Sequence, residues 1–291
     1  MSIVNAKDIL IDATKNHYAV GAFNITNLIQ MEAVVETAVE KRSPLIIQTS
    51  VKPSKFLGRD VLVGIYRTLA SSAPIPICLH LDHCTDIDYC KKCADAGYTN
   101  IMIDASKQGF EENIRQTREV ANYAHSVGDI SVEGELGTVS GVEDQIKVAE
   151  DEAALCSPDQ VLEFIEGSGV DLLAPAIGTA HGIYKTKNPK IDFDRFDRIF
   201  KIVNGDGIKV PLVVHGGTGL PKEYVERLIS LGGSKFNVST ELKHALIDST
   251  YDYISGHREE YDPGKIDIAV KEGIRKVVSY WIDLLCSADK A

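Results

Sequence analysis

Pro76-Ile77-Cys78-Leu79-His80-Leu81-Asp82-His83 is an apolar run that ends in three ionisable side chains. Few interior strands end that way, because a charge at the edge of an apolar core is costly unless it is paired. Two later apolar runs also end on a histidine followed by glycine: Leu172 to Ala180 leads into His181-Gly182, and Val210 to Val214 into His215-Gly216-Gly217. Any one of these histidines reads most simply as a hydrogen-bonded interior or rim residue. Three at matching strand ends suggest a shared metal, since a catalytic zinc site takes about three protein ligands and leaves one position open. Asp82 is then the nearby acid or base. Strict alternation puts His80 and Asp82 on one strand face and His83 on the other, so His83 needs irregular backbone to reach the same centre. His80, one layer deeper, is read as support.

Outward from that stretch the same unit repeats. Before it come a helix over Ala6–Asn16, a strand over Tyr18–Asn24, a helix from Leu28 with Thr26 as N-cap, a continuously apolar strand over Leu45–Ser50, and a helix over Val61–Ser71. After it the spacing predicts a helix from Asp86 to Ala96, a strand over Thr99–Asp104, a helix over Glu111–Ser126 and a strand over Ile130–Leu136. From Gly137 to Leu155 the pattern lapses into a long loop, which in a compact domain is usually functional or disordered. Ser157-Pro158-Asp159-Gln160 then reads as a capping box with proline at N1. Strands over Val170–Ile177, Val210–Val214 and Ser234–Ser239 follow, each with its helix, and helices over Thr240–Ser255 and Lys265–Leu285 close the chain. Eight apolar runs, each followed by a helix and without a shift in composition, predict an α/β fold of one domain over residues 1–291. That fold is a (β/α)8 TIM barrel with additional N- and C-terminal helices. A doubly wound sheet is the alternative, but it leaves the last units unexplained.

The chain has 291 residues, 44% of them hydrophobic, and a net charge of −11, which argues against nucleic acid or a membrane surface as a partner. No apolar stretch approaches the roughly 20 residues that span a bilayer, and Met1 to Lys7 lacks the charged and apolar regions of a signal peptide, so the expected location is cytoplasmic. The cysteines are expected to be reduced core thiols, Cys90 and Cys93 included despite their CxxC spacing. An acidic protein that takes an anionic substrate needs local devices to hold it.

In a barrel the functional groups collect at the C-terminal strand ends, which brings Asn24, Ser50, Asp82, His83, Asp104, Glu135, His181, His215, Asn237 and Ser239 to one rim. Glu135 and Asp104 end apolar strands, where a metal or a lysine is the expected partner; helix capping is the plainer reading, more so for Asp104. Gly216-Gly217-Thr218-Gly219 and Asn237-Val238-Ser239-Thr240 follow the seventh and eighth strands, where barrel enzymes often bind phosphate, with Gly182 and Lys185 nearby.

These motifs, with Gly21-Ala22-Phe23-Asn24, Met102-Ile103-Asp104-Ala105-Ser106, Gly134-Glu135-Leu136-Gly137 and Gly178-Thr179-Ala180-His181-Gly182, resemble those of class II, metal-dependent fructose/tagatose-bisphosphate aldolases over nearly the whole chain. Ser239 makes the likeness closer to the tagatose-type branch. The resemblance implies one catalytic Zn2+ per subunit on His83, His181 and His215, with Glu135 and Asp104 near it or at an alternative metal position. It also implies that Asp82 moves the proton of the C4 hydroxyl. Gly141-Val142-Glu143-Asp144 is similar to the family's mobile segment, whose glutamate, here Glu143, exchanges the C1 proton. Gly182, Lys185, Gly216, Gly217, Thr218, Asn237, Ser239 and Thr240 match positions around the C1 phosphate and a monovalent cation such as Na+ or K+, and Asn24 and Ser50 match substrate contacts.

The implied reaction is zinc-dependent, reversible aldol cleavage of a ketose 1,6-bisphosphate, fructose or tagatose, to dihydroxyacetone phosphate and glyceraldehyde 3-phosphate, in a homodimer or homotetramer. A Lewis acid suits the negative charge left when C3–C4 breaks. A Schiff-base lysine is the other known solution, yet no lysine ends a strand here, and Lys235 begins the eighth strand at the opposite rim. Where the family often carries an arginine for the distal phosphate, this chain has Asp262-Pro263-Gly264-Lys265. The alternative substrate is therefore a ketose 1-phosphate with another distal group. A barrel hydrolase is disfavoured because the first strand ends in Phe23-Asn24 rather than a His-x-His pair, and a non-catalytic sugar-phosphate binder would show no carbon–carbon cleavage.

Overall fold

A computed structural model describes residues 2–143, 146–149, 153–184 and 186–291, apart from the side chains of 142, 143 and 146–148. Eight parallel strands close into a barrel. They are β1 (Val20–Asn24), β2 (Leu45–Ser50), β3 (Ile77–Cys84), β4 (Asn100–Ile103), β5 (Ser131–Leu136), β8 (Leu172–Pro175), β10 (Leu212–Val214) and β11 (Gly233–Val238). Closure between β1 and β11, with Val20 opposite Lys235, excludes the doubly wound sheet.

Alternation along these strands sorts the interior into layers. At the bottom, Val20, Ala22, Ile46, Cys78, Leu172, Ala174 and Val213 pack on Ala6, Ile9, Leu10 and Ala13 of α1 (Ala6–Lys15), which plugs the barrel. Each fully buried aliphatic side chain there contributes about 1.5–3 kcal/mol. On five of the strands the inward face also carries polar groups, with Gln48, His80, Asn100, Glu133 and Lys235 all fully buried. The outward faces, such as Leu45, Ile47, Leu79, Leu81 and Val132, meet the helices in a second apolar core.

Several local expectations change. Asn27, not Thr26, caps α2 (Leu28–Glu40) and accepts from the Gln30 N–H, while the Gln30 side chain reaches back to Thr26. A helix at Val51–Leu57 precedes the expected one at Arg59–Ser72. Ser157 makes no side-chain cap; Pro158–Gln160 is a 3-10 turn that leads into the helix Val161–Ser168. The segment expected as a loop carries β6 (Ser140–Glu143) and β7 (Ile146–Val148), an antiparallel pair whose β6 also runs parallel to β9 (Ala180–His181). All six cysteines are free, and only Cys286 is exposed.

Candidate active site

β3 runs on to Cys84, one residue past His83, and its pairing with β4 slips between Leu81 and Cys84. At that irregularity His83 adopts φ +44, which is uncommon for a residue with a Cβ and re-aims the side chain. His83 thereby joins the inward face that regular alternation denies it. His181 lies beyond its barrel strand, on β9, between two glycines. A Cβ on Gly141 would overlap the His181 carbonyl oxygen, and one on Gly216 that of Ala180. Tyr184 fastens the same segment, since its hydroxyl accepts from the Ala180 N–H at 3.0 Å and donates to the Gly216 carbonyl at 2.8 Å. His215 follows β10 directly.

The three imidazoles form a cluster, with ring centroids 4.7 Å apart for His83–His181, 4.6 Å for His83–His215 and 5.8 Å for His181–His215. One potential ligand atom from each lies within 4.8 Å of the others, and His83, Asp104 and Glu135 form an overlapping group on the same criterion.

Hydrogen bonds fix which nitrogens face the cluster. Asp104 Oδ2 lies 2.9 Å from His83 Nδ1, and its Oδ1 accepts from the Ser106 N–H and hydroxyl at 3.1 and 2.7 Å. Asp104 therefore orients a histidine instead of capping the next helix, whose N-cap is Gly109. Glu133 Oε1 lies 2.9 Å from His215 Nε2. On the other side of that ring, His215 Nδ1 and Glu135 Oε2 are 3.1 Å apart, yet neither forms a hydrogen bond with the described residues. Buried donor atoms aimed into one space in a nitrogen and oxygen set suit zinc or a similar ion.

Electrostatics agree. Burial opposes charge on His83, but Asp82, Asp104 and Glu135 outweigh it and raise its pKa well above the ordinary histidine range. Burial also opposes charge on His215, and Glu133 and Glu135 lift it to about 9. His181 has imidazoles for neighbours, and burial with His83 and His215 lowers it well below the usual value. Despite burial, Asp82 is held well below the carboxylate range by His83 and His80, and Asp104 and Glu133 are lowered as well. Imidazoles surrounded by ionised carboxylates make an environment that favours a divalent cation.

Asp82 is fully buried, and its Oδ2 accepts from Asn24 Nδ2 at 3.0 Å and Gln48 Nε2 at 3.1 Å, its Oδ1 from Asn237 Nδ2 at 3.2 Å. Ser50 sits opposite it in the β2–β3 register. Beside the histidines is a pocket lined by His181, Gly182, Gly216, Thr218, Asn237, Ser239, Thr240 and Lys243. Its floor carries the N-terminus of α10 (Thr240–Gly256), and the buried hydroxyls of Thr218 and Ser239 form no hydrogen bond with the described residues. Helix N–H groups, a lysine and free hydroxyls make an anion site. Gly217 does not line the pocket; its N–H donates to the Asn237 carbonyl at 3.2 Å. Lys185 and the side chain of Glu143 lie outside the described residues.

The model of the class II fructose-bisphosphate aldolase family matches residues 4–290. The chain belongs to this family. Fructose-bisphosphate aldolase of Helicobacter pylori strain 26695 is 37% identical over 311 aligned positions and covers 99% of both chains. That of Staphylococcus aureus strain Mu50 is 39% identical over 281, covering 96% of this chain and 95% of its own. The crystal structure of the YdjI aldolase from Escherichia coli K12 superposes with a TM-score of 0.85 at 29% identity, covering 99% of each chain. As a class II aldolase the chain is a metal-dependent carbon–carbon lyase, in keeping with the cluster of donors.

Four residues at this class II aldolase site escaped the sequence reading: Gln48, Glu133, Lys235 and Lys243. Gln48, Glu133 and Lys235 lie two positions before Ser50, Glu135 and Asn237, so the alternation that selected those residues also carried the signal for these. The sequence places Lys235 at the opposite rim; its backbone is near that end, but its ammonium reaches up inside the barrel to Glu133 at 2.9 Å. Lys243 lies one turn into α10, where only helical spacing from Ser239 and Thr240 points to it.

Proposed function

We propose that the chain catalyses reversible aldol cleavage of a ketose 1,6-bisphosphate, with fructose as first candidate, to dihydroxyacetone phosphate and glyceraldehyde 3-phosphate. The observation that carries this reading is a shared wall: His181 belongs both to the histidine cluster and to the anion pocket. A substrate with a phosphate next to metal-binding oxygens spans the two.

In this reading His83, His181 and His215 hold one Zn2+, Asp104 orients His83, and Glu135 is an additional or alternative ligand. When bound, the metal supplies a Lewis acid that offsets the charge left on the three-carbon fragment. Gly182, Gly216, Thr218, Ser239, Thr240 and Lys243 take the C1 phosphate, and a monovalent cation such as Na+ or K+ shares that pocket. Asp82 accepts the C4 hydroxyl proton in cleavage and returns it in synthesis; Asn24, Gln48 and Asn237 fix its carboxylate. Glu143 is assigned the C1 proton by family resemblance, and its strand β6 pairs with the strand of His181, which supports a position next to the site. Lys185 completes the phosphate contacts in the same assignment.

One feature supports a second reading of the substrate. Lys265, the cation nearest in sequence to the missing distal arginine, pairs with Glu260, and Asp262 is spent capping α11 (Pro263–Leu284). A ketose 1-phosphate with another distal group is the alternative. The remaining assignments are a single domain over residues 1–291, a homodimer or homotetramer, and a cytoplasmic location; no helix among the described residues is long and apolar enough to cross a membrane. A coupled assay of ketose phosphates with and without chelator tests the reading, and absence of carbon–carbon cleavage in the metal-loaded protein would reject it.

A further inference from the structure

We infer that Glu133 and Lys235 are positioning residues for His215, a buried pair that sets which of its ring nitrogens is offered to the metal. The inference rests on the proposed role of His215 as a ligand. Glu133 is fully buried in mid-β5 and points inward one layer below Glu135. One oxygen, Oε2, is held by Lys235 Nζ at 2.9 Å, and the other, Oε1, lies 2.9 Å from His215 Nε2. An ionised carboxylate can only accept hydrogen bonds and an ammonium can only donate. With Oε2 committed to Lys235, Oε1 is aimed at Nε2, so Nε2 must carry the hydrogen. The lone pair of His215 is then on Nδ1, the nitrogen that faces Glu135 Oε2 at 3.1 Å in the cluster.

The pair also prevents a competing arrangement. His80 Nε2 lies 3.8 Å from Glu133 Oε2 and 3.4 Å from Lys235 Nζ. Its orientation is dictated from below. The Ala6 N–H donates to Ser131 Oγ, so the Ser131 hydroxyl hydrogen goes to Asn100 Oδ1 at 2.6 Å. Asn100 Nδ2 then faces His80 Nδ1 at 2.6 Å and donates to it, which fixes the ring with Nε2 turned toward Glu133 and Lys235. Without the lysine, Glu133 could turn toward His80 and lose its alignment with His215. Side chains that orient a ligand through its second nitrogen typically matter by about 10- to 100-fold in metal affinity.

The test measures affinity for Co2+ by competition with a chelator, together with the Co2+ visible spectrum and long-range 15N–1H correlations of His215 in the Zn2+-loaded protein, where the ring is neutral. Glu133→Gln places an amide between two donors. Its oxygen goes to Lys235 and its NH2 to His215, so the hydrogen of His215 moves to Nδ1 and affinity falls at least about 10-fold. In Glu133→Gln/Lys235→Met the amide oxygen is released to face Nε2 again, and affinity and tautomer recover. Glu133→Leu/Lys235→Met also removes both buried charges, so it should fold, but it offers no acceptor. Its affinity is expected to be about 10- to 100-fold below that of the glutamine double variant, with an altered Co2+ spectrum. Equal affinities and one tautomer in the two folded double variants would overturn the inference. If the wild type itself fails to bind Co2+, the metal reading of His215 falls and this inference falls with it; a wild type that binds, beside indifferent variants, removes the positioning role alone.

Discussion

His215 Nδ1 and Glu135 Oε2 face each other at 3.1 Å in the buried interior without a hydrogen bond between them. Two such atoms, close enough to attract as charges but out of hydrogen-bonding geometry, recover only part of the hydration they lose, which is worth about 1–3 kcal/mol per group. A cation between the strand ends relieves both. One equivalent of zinc per chain is therefore expected to bind, to raise the unfolding temperature, and to be required for turnover. Chelation should abolish activity and zinc should restore it; full activity in a metal-free sample would sink the assignment.

Asp82→Ala and Glu143→Ala are each expected to lower turnover by about 10²-fold or more, the usual scale for a positioned proton-transfer group. Partial reactions separate them. Exchange of the C1 proton of dihydroxyacetone phosphate should fail mainly in Glu143→Ala and proton transfer at C4 in Asp82→Ala. Equal C1 exchange in wild type and Glu143→Ala would remove Glu143 from the mechanism.

Lys243→Met removes the one ammonium among the described residues that line the anion pocket. A lost charge-assisted contact of roughly 1.5–3 kcal/mol corresponds to about a 10- to 150-fold drop in kcat/KM. Inorganic phosphate should protect the wild type more than the variant as a competitive inhibitor. An unchanged inhibition constant would place the C1 phosphate elsewhere.

Gly216 has φ +68 and its backbone abuts Ala180, so Gly216→Ala combines a left-handed backbone with an overlap on the strand that carries His181. Metal affinity and activity should fall together, with an added cost of about 1–3 kcal/mol in stability. Retention of wild-type metal affinity would show that β9 does not depend on this close approach.

Gly264→Arg is expected to raise kcat/KM for 1,6-bisphosphates relative to 1-phosphates, because an arginine fork grips phosphate with two parallel bonds where Lys265 is a mobile charge already paired to Glu260. In the wild type the ratio of the two substrates is expected to be small. A preference for bisphosphate above about 10³-fold, unmoved by the arginine, would locate the distal site elsewhere.

Much of this architecture was legible in order. Strand and helix periodicities are set by residues a few positions apart, so the eight-fold repeat, its closure into a barrel and the set of strand-end donors could be read from the chain. Motif resemblance then assigned roles. Short-range competition was harder to read. Asn27 displaces Thr26 as cap because its side chain, one residue nearer, reaches the Gln30 N–H, and β6 and β7 have too few residues for a clear alternation.

The sequence by itself determined which side chains reach the C-terminal rim, since alternation along a strand is a property of consecutive residues. Only the tertiary structure decided how they face one another. His83 turns inward because the β3–β4 register slips. Lys243 joins the anion pocket because α10 starts at its floor. Glu133 meets His215 and Lys235 across 82 and 102 residues of chain. Such contacts depend on the stagger between strands when the barrel closes, a quantity that no local stretch encodes.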